Sequence, residues 1–430
     1  MRTYEVRCPI YGFVSFDEWE REIIAQPAFQ RLRRIRQLGW TDYVYPGAMH
    51  TRFEHALGVM HMATMLFDNL VARSRDALRD YACDDDSVRR ARRLVRLAAL
   101  LHDVGHGPFS HVAEELMPTK AGNERWTHED YSAEVIRKEL ADVIDRHRAN
   151  AFRIRADEIA NFLLGAPEAG RDLAWRPIVS GQLDADRMDY LLRDSHHIGV
   201  EYGHYGWRRL LNTIVALPGD DQAAFRIGVE EGGWNAAESL VIARYMMFSQ
   251  VYYHKTRVIL DHHVGKALAE ILPGGAFPPP TQIDDYLPWD DWRVLGALAS
   301  GGGGEHGEHL RRRDLFKLVW ASPLKPVAPD RGEIDRVRAE LGGLHAVEVS
   351  SERSWYKLDQ TDVRVQLDNG ELQPLSALSP IVRSMGTFRQ DRFYVRPEDA
   401  KEARRRIEKI HEEVEKARRR VAKTGKRPRT

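Results

Sequence analysis

The chain has 430 residues, 43% of them hydrophobic, and its 64 Lys plus Arg are matched by 64 Asp plus Glu. This length and apolar content can supply a substantial buried core, and zero net charge excludes a whole-molecule field that would draw the protein to nucleic acid or an anionic membrane. Two cysteines, Cys8 and Cys83, are too few for a disulfide framework, and no run nears the roughly 20 apolar residues that cross a bilayer, so a cytoplasmic protein with no membrane contact is expected.

From about Gln30 to Lys266, apolar residues recur three and four apart with few alternating stretches, which predicts an all-α core. In Thr51-Arg52-Phe53-Glu54-His55, Thr51 and Glu54 have capping-box spacing, so His55 falls in the first turn of a helix that continues through Leu66. A further helix begins near Ser87, a candidate cap, with Ala91, Leu94, Val95, Ala98 and Leu101 on its inner stripe and an arginine-rich outer face.

That helix runs into His102-Asp103-Val104-Gly105-His106-Gly107-Pro108-Phe109-Ser110-His111, a helix end with three histidines and an aspartate. Gly105, Gly107 and Pro108 stop the helix and let the backbone bend towards a site. Imidazole and carboxylate together suit Mn, Fe, Co, Ni or Zn better than Ca. Taken alone, His102 fits equally well as a hydrogen-bonded core residue and Asp103 as a helix-end partner.

In Asp184 to Asp194, helical spacing puts Asp186, Tyr190, Arg193 and Asp194 on one face and Met188, Leu191 and Leu192 on another. The polar stripe fits a cleft wall or an ordinary solvated face. Arg244, Phe248, Tyr252 and Lys255 are spaced to lie along one helical face, mixing cations and aromatics in a way that suits a nucleotide. An amphipathic surface helix with its aromatics turned inward has the same spacing.

Leu287 to Gly304 contains Trp289, Trp292 and four consecutive glycines, which predicts a flexible loop between structural units. Strand-like segments follow at Trp355 to Leu358, Val363 to Leu367 and Phe393 to Val395. The expected organisation is a helical core with its amino-terminal segment over residues 1–290, a smaller α+β lobe over 291–400, and a basic helical tail over 401–430. From Lys401 onward, 13 Lys or Arg face five Glu. A solvated surface helix with a frayed end is the favoured account of that tail, and nucleic-acid contact the lesser one.

His55, then His102-Asp103, then the distant Asp186 resemble the four metal ligands of HD-domain phosphohydrolases. More extensive blocks resemble the SAM-and-HD-domain dNTP triphosphohydrolases and their bacterial relatives: Phe29 to Arg33, Tyr45 to Ala48, Arg52 to His55, His106 to His111, Trp126 to Glu129, Asp184 to Asp194, Tyr252 to Lys255 and, more weakly, Arg313 to Lys317. No SAM domain is expected ahead of Met1. The fold so implied is mainly α, an HD-domain helical core with the smaller carboxy-terminal α+β lobe.

The resemblance implies one divalent transition metal on His55, His102, Asp103 and Asp186, with Mg entering alongside the substrate phosphates. Two imidazoles and two carboxylates leave coordination positions open for water and a phosphate oxygen, and such a metal lowers the pKa of its water. Histidine titrates near neutral pH, which makes His111 the candidate general acid, with Glu114 one turn on as its orienter. By resemblance, His106, His128 and Glu129 complete a phosphate-side network, Arg52, Arg187, Arg244 and Lys255 bind phosphate, Gln37, Tyr190 and Asp194 contact the sugar, and Leu38 meets the base. Tyr252 would lie under the 2′ position and exclude a hydroxyl there.

The implied reaction is attack of water at the α-phosphorus of a deoxynucleoside triphosphate, releasing deoxynucleoside and inorganic triphosphate. Removal of terminal phosphates from a nucleotide or other phosphate ester, or cleavage of single-stranded nucleic acid, would use the same metal. A homo-oligomer, a tetramer or larger, is implied by the relatives. Where nucleotide-activated relatives carry an acidic residue that reads guanine, this chain has Ala25, so guanine-specific activation is not expected, although Gln30, Arg33, Arg313 and Lys317 remain as candidate regulatory contacts. Phe248 and Tyr253 replace polar residues at the base pocket, which implies a broad or altered base preference.

Overall fold

Two helices, Arg52–Arg73 and Asp85–Leu101, pack against each other at the centre of the molecule. The first is apolar almost all round, burying Phe53, Leu57, Val59, Met60, Leu66 and Phe67 among others, the pattern of a helix enclosed by protein. Each such side chain contributes roughly 1.5–3 kcal/mol on burial. The second is polar at its start and wholly buried from Leu94 to Leu101, so it drives its carboxy-terminal end, and the histidine after it, into the core. The computed structural model describes residues 2–219, 225–324, 328–344, 347–353, 362–385 and 388–410.

The mainly helical core and the smaller sheet-containing lobe agree with the sequence, but several local expectations change. The Asp85–Leu101 helix starts earlier than expected. Asp84 is its cap and accepts from Ser87 N at 2.7 Å, so Ser87 is the third helical residue and its hydroxyl accepts in return from Asp84 N at 3.1 Å. The arginine face is also divided, because Arg96 is buried and grips Glu20.

The strands are β1 (Thr3–Cys8), β2 (Gly12–Asp17), β3 (Ile214–Pro218), β4 (Phe225–Glu230), β5 (Lys317–Ala321), β6 (Val347–Arg353), β7 (Arg364–Gln366), β8 (Leu372–Pro374) and β9 (Phe388–Val395). β1 and β2 form an amino-terminal hairpin, and β3 and β4 interrupt the span that periodicity assigned to helices alone. β4 pairs in parallel with β7, which pairs with β8, so strands of the later lobe complete a sheet begun in the core. β5 and β6 flank β9, all antiparallel.

The strand expected at Val363 to Leu367 is the shorter β7, and the one at Phe393 to Val395 is the end of β9. Trp355 to Leu358 lies outside the described residues, as does the basic tip beyond residue 410; residues 400–410 are helical. One large hydrophobic cluster reaches from Cys8 to Tyr394, and a smaller one joins Trp320, Val337, Leu341, Phe393 and Ile407. Among the described residues, no helix is long and apolar enough to cross a membrane.

The four glycines, Gly301 to Gly304, form a short junction. They turn the chain between the Asp291–Ala299 and Gly304–Arg312 helices, and the latter packs on the Lys255–Ile271 helix. The predicted stripe from Arg244 to Lys255 is broken too. The Trp234–Met247 helix widens into a π turn over Phe248–Tyr252, and His254, extended at φ −61° and ψ 135°, restarts the chain as the cap of the next helix. Arg244 is largely enclosed, whereas Lys255 is exposed. In the Ala185–Ile198 helix, Arg193 leaves the expected cleft face and is fully buried.

Candidate functional site

Local chemistry fixes each of the four predicted ligands. His55 lies in the first turn of Arg52–Arg73, where Thr51 is the cap and Thr51 N donates to Glu54 Oε1 at 3.0 Å, as the sequence predicted. His102 ends the Asp85–Leu101 helix, and its Nδ1 donates to Ala99 O at 2.9 Å. His55 Nδ1 donates to Asp189 Oδ2 at 2.8 Å. Each ring therefore carries its proton on Nδ1 in the neutral form and turns a bare Nε2 lone pair inward.

The two Nε2 atoms are buried and neither has a hydrogen-bond partner. Buried polar atoms are rarely left without a geometric hydrogen bond, and two imidazole nitrogens so placed beside carboxylates suit a cation. Asp186 Oδ1 lies 3.1 Å from His55 Nε2 and 3.8 Å from His102 Nε2. Asp103 reaches His102 Nε2 at 3.3 Å through Oδ1 and His55 Nε2 at 3.7 Å through Oδ2. Atoms held about 2.1 Å from a common ion sit roughly 3.0 to 4.2 Å apart, the range found here. His55, His102 and Asp103 form a group that could hold a metal ion, and Asp186 lies against both imidazoles.

The loop from His102 to Ser110 is held by its backbone. Gly105 N donates to Ser132 Oγ at 2.9 Å, Ser132 Oγ donates to His102 O at 2.8 Å, and Tyr286 OH donates to Gly105 O at 2.7 Å. A Cβ on Gly105 would stand 2.1 Å from Ser132 N, so only glycine admits this approach. The fully buried Arg31 donates to His106 O at 2.8 Å and to Trp289 O at 2.6 Å. Phe109 and Ser110 take φ of 56° and 61°, costing about 1–3 kcal/mol each, and Asp291 secures them by accepting from Phe109 N at 2.8 Å. Arg31, Ser132, Tyr286 and Asp291 were not singled out from sequence, because what they hold is main chain.

Beside them stand the residues that the resemblance assigns to a phosphate-side network. His106 Nε2 is 3.4 Å from Asp103 Oδ1, and the His106 and His128 rings stack at 3.9 Å. Glu114 Oε1 accepts from both His128 Nδ1 at 2.6 Å and His111 Nδ1 at 3.1 Å, so the predicted orienter of His111 is shared with a second imidazole. His128 Nε2 stands 3.4 Å from Glu129 Oε1. His111 is well exposed.

Charge is distributed unevenly over this site. Burial alone would lower His55, but the Asp186 and Asp189 carboxylates outweigh it and raise the ring to about 10, so near neutral pH Nε2 also holds a proton, which a metal ion binding there would displace. Burial would raise Asp103, yet Arg52, His102 and His106 hold it well below the usual carboxylate range. His106 is driven well down by burial and by the cations of Arg52 and His128, and stays neutral. For His128, burial is overcome by Glu114, Glu129 and Asp103, which raise it; Glu114 is lowered against burial by His111 and His128.

The substrate-side residues are brought together less completely. Arg52 pairs with Asp103 and donates to Ser110 Oγ at 2.9 Å, so its guanidinium is tied to a ligand rather than free. Arg187 folds onto Asp184 and Gly181 O, and Arg244 donates to Gln182 Oε1 at 3.2 Å. Tyr252 OH donates to Asp194 Oδ2 at 2.6 Å, with the Tyr190 ring 6.2 Å from that of Tyr252. His50 Nε2 donates to Asp194 Oδ1 at 2.8 Å, a partner missed from sequence. Leu38 is 5% exposed and the amide oxygen of Gln37 is buried without a partner.

The candidate regulatory residues stand elsewhere. Arg33 donates to Gln30 Oε1 at 2.9 Å and lies 3.5 Å above the Phe53 ring. Arg313 reaches Tyr43 O at 3.3 Å, and Lys317 is exposed at the start of β5.

Comparison with known proteins adds to this geometry. The HD domain family matches residues 52–194, and the HD associated region matches residues 209–422. The chain is 36% identical over 313 residues to an uncharacterized protein of Methanocaldococcus jannaschii, covering 73% of this chain and 58% of that protein. It is 31% identical over 286 residues to the deoxynucleoside triphosphate triphosphohydrolase SAMHD1 homolog of Dictyostelium discoideum, covering 66% of this chain and 50% of that one. The match therefore spans about half the length of these two relatives. The crystal structure of a hypothetical protein from Aquifex aeolicus superposes with a TM-score of 0.78 at 29% identity, over 94% of this chain and 100% of that one.

Proposed function

The chain belongs to the HD-domain family, and from that premise we propose that it is a metal-dependent phosphohydrolase that splits a deoxynucleoside triphosphate into deoxynucleoside and inorganic triphosphate. The observation that carries the proposal is the pair of buried, partnerless Nε2 atoms of His55 and His102, facing the carboxylates of Asp103 and Asp186. Those four side chains would hold Mn, Fe, Co, Ni or Zn. Bound there, the ion would act as a Lewis acid on a phosphoryl oxygen and make water a usable nucleophile near neutral pH.

The chain's own residues supply the rest. Arg187, Arg244 and Lys255 would collect the triphosphate, which requires Arg187 to exchange its contact with Asp184 for phosphate. His106, His128 and Glu129 would line the phosphate side. Water adds to the α-phosphorus, the bond from that phosphorus to the sugar's 5′ oxygen breaks, and His111 gives the departing oxygen its proton while Glu114 orients the ring. Tyr252, fixed through Asp194, would fill the space a 2′-hydroxyl needs, with Tyr190 and Gln37 on the sugar and Leu38 towards the base. Assembly as a homo-oligomer is part of the proposal and is read by light scattering on the purified chain.

The decisive test is to incubate the protein with each of Mn, Fe, Co, Ni and Zn in turn and, separately, each dNTP, each NTP and a single-stranded oligonucleotide, then identify the phosphate product. Inorganic triphosphate from dNTPs is expected. Orthophosphate would mean a terminal phosphatase, a shortened oligonucleotide a nuclease, and no product with any of the five metals would remove the hydrolase reading.

A further inference from the structure

Behind His55, on the side away from the proposed ion, lies a charged cluster that the reaction does not use. Asp189 and Arg193 have no exposed surface. Arg193 Nε donates to Asp189 Oδ2 and Arg193 Nη2 to Asp189 Oδ1, both at 2.8 Å, a bidentate pair that fixes the plane of the carboxylate. Asp189 Oδ2 also accepts from His55 Nδ1 at 2.8 Å.

The third member comes from the far end of the chain. Tyr11, in the turn of the β1–β2 hairpin, donates its hydroxyl to Asp189 Oδ1 at 2.9 Å. Its ring is clamped between His61, at 4.9 Å, and the edge of Trp207, at 5.8 Å, so the hydroxyl has a fixed position. Cys8, at the end of β1, presents its sulfur to Arg193 Nη2 at 3.6 Å.

The Arg52–Arg73 helix makes room for this cluster. A Cβ on Gly58, three residues after His55, would stand 2.0 Å from Asp189 Oδ1 and 2.2 Å from Arg193 Nη2. The ion pair therefore rests directly on helix backbone next to the histidine it serves. Oδ1 accepts from Tyr11 and Arg193 Nη2, and Oδ2, held in place by Arg193 Nε, receives His55 Nδ1–H. That keeps the proton on Nδ1, the lone pair on Nε2, and the ring plane fixed.

We propose that Asp189, Arg193 and Tyr11 are positioning residues that set the tautomer, orientation and donor strength of His55, making the amino-terminal hairpin a working part of the metal centre. A carboxylate behind a ligating imidazole raises its basicity, and loss of such a partner typically weakens metal binding by about 10–100-fold. Tyr11 acts one bond further out, through Asp189. The inference rests on the ligand role proposed for His55.

The test uses the full chain stripped of metal and titrated with Mn(II) by calorimetry and with Co(II) by its visible absorption. Tyr11→Phe keeps the ring contacts and removes only the hydroxyl, and is expected to weaken binding severalfold and shift the Co(II) bands. Asp189→Asn is expected to weaken binding by about 10–100-fold. Circular dichroism checks folding, and if Asp189→Asn does not fold, Tyr11→Phe decides. Affinity and Co(II) spectrum unchanged from the wild type in the folded variants would overturn the inference while leaving His55 a ligand. Wild-type affinity in His55→Ala would instead overturn the ligand role, and the inference with it.

Discussion

The two sides of the site are built on different principles. On the side of the proposed ligands, hydrogen-bond partners are in place for three of the four side chains and for the loop: Ala99 O and Asp189 behind the imidazoles, Arg52 behind Asp103, and Arg31, Ser132 and Tyr286 on the loop backbone. On the substrate side, the cations are occupied within the protein or lie apart, Arg187 on Asp184, Arg244 on Gln182, Lys255 exposed. A preformed cage gains affinity because little ordering is left to do on binding, whereas a cation that must leave an internal partner gives up part of what its new contact yields. Under the proposed function, the difference predicts that the ion and the nucleotide bind as separable events, the first to a rigid site and the second with rearrangement.

The sharpest way to break this contrast is to empty the cage. His102→Ala or Asp186→Ala is expected to abolish turnover and leave the purified protein without stoichiometric metal, measured by product assay and by elemental analysis. Full activity in either variant would end the assignment.

Next in size is a change confined to the other side. Arg187→Ala should lower kcat/KM by roughly 10–100-fold, the worth of one charged hydrogen-bonding contact, while metal content stays at the wild-type level. If metal were lost along with rate, the two sides would not be separable.

A smaller effect is expected at Tyr252. A pocket that merely leaves no room for a hydroxyl discriminates by up to about 100-fold, so Tyr252→Ala should cut the preference for dNTP over NTP by up to that factor. The ratio of kcat/KM values for paired nucleotides measures it, and an unchanged ratio would remove Tyr252 from sugar selection.

How much of each side could be read from the sequence follows from the same contrast. The placement of the proposed ligands was legible because it is local: a capped helix start for His55, a helix end with glycine and proline for His102-Asp103, and an acidic residue opening the Ala185–Ile198 helix, with the family resemblance joining them into one set. The support behind it was not, because Tyr11 meets Asp189 across 178 residues and Arg31 meets Trp289 across 258, and no periodicity records such a meeting. Arg193 was misplaced for a related reason. Helical spacing puts it beside Asp194, but a bidentate carboxylate partner at i−4 let it turn inward where an unpaired arginine would stay in water. The Arg244 to Lys255 stripe failed because a π turn and a restarted helix change the rotation per residue, which composition does not announce. The mainly α class survived the unforeseen β3 and β4 because those strands are only five and six residues long, although β3 is buried against the central helix.

Glu20 tests whether buried charge in this fold acts structurally when no ligand is at stake. It is 1% exposed, its Oε1 accepts from Arg93 Nη1 at 3.0 Å and Arg96 Nε at 2.7 Å, and its Oε2 accepts from Arg96 Nη2 at 2.8 Å. Burial alone would raise its pKa, but the Arg96 and Arg93 guanidiniums outweigh burial and lower it. A carboxylate depressed in the folded state adds stability at pH values above its unfolded pKa, about 4.3, and loses it as pH falls through the lower folded value. Glu20→Gln should therefore cost up to about 3 kcal/mol in urea unfolding at pH 7, with the deficit shrinking below about pH 4.3, and should leave kcat at 25 °C unaltered. A gap between the two proteins that held constant from pH 7 down to pH 3 would mean that the charge of Glu20 does not hold its helix to the core, and that shape alone does.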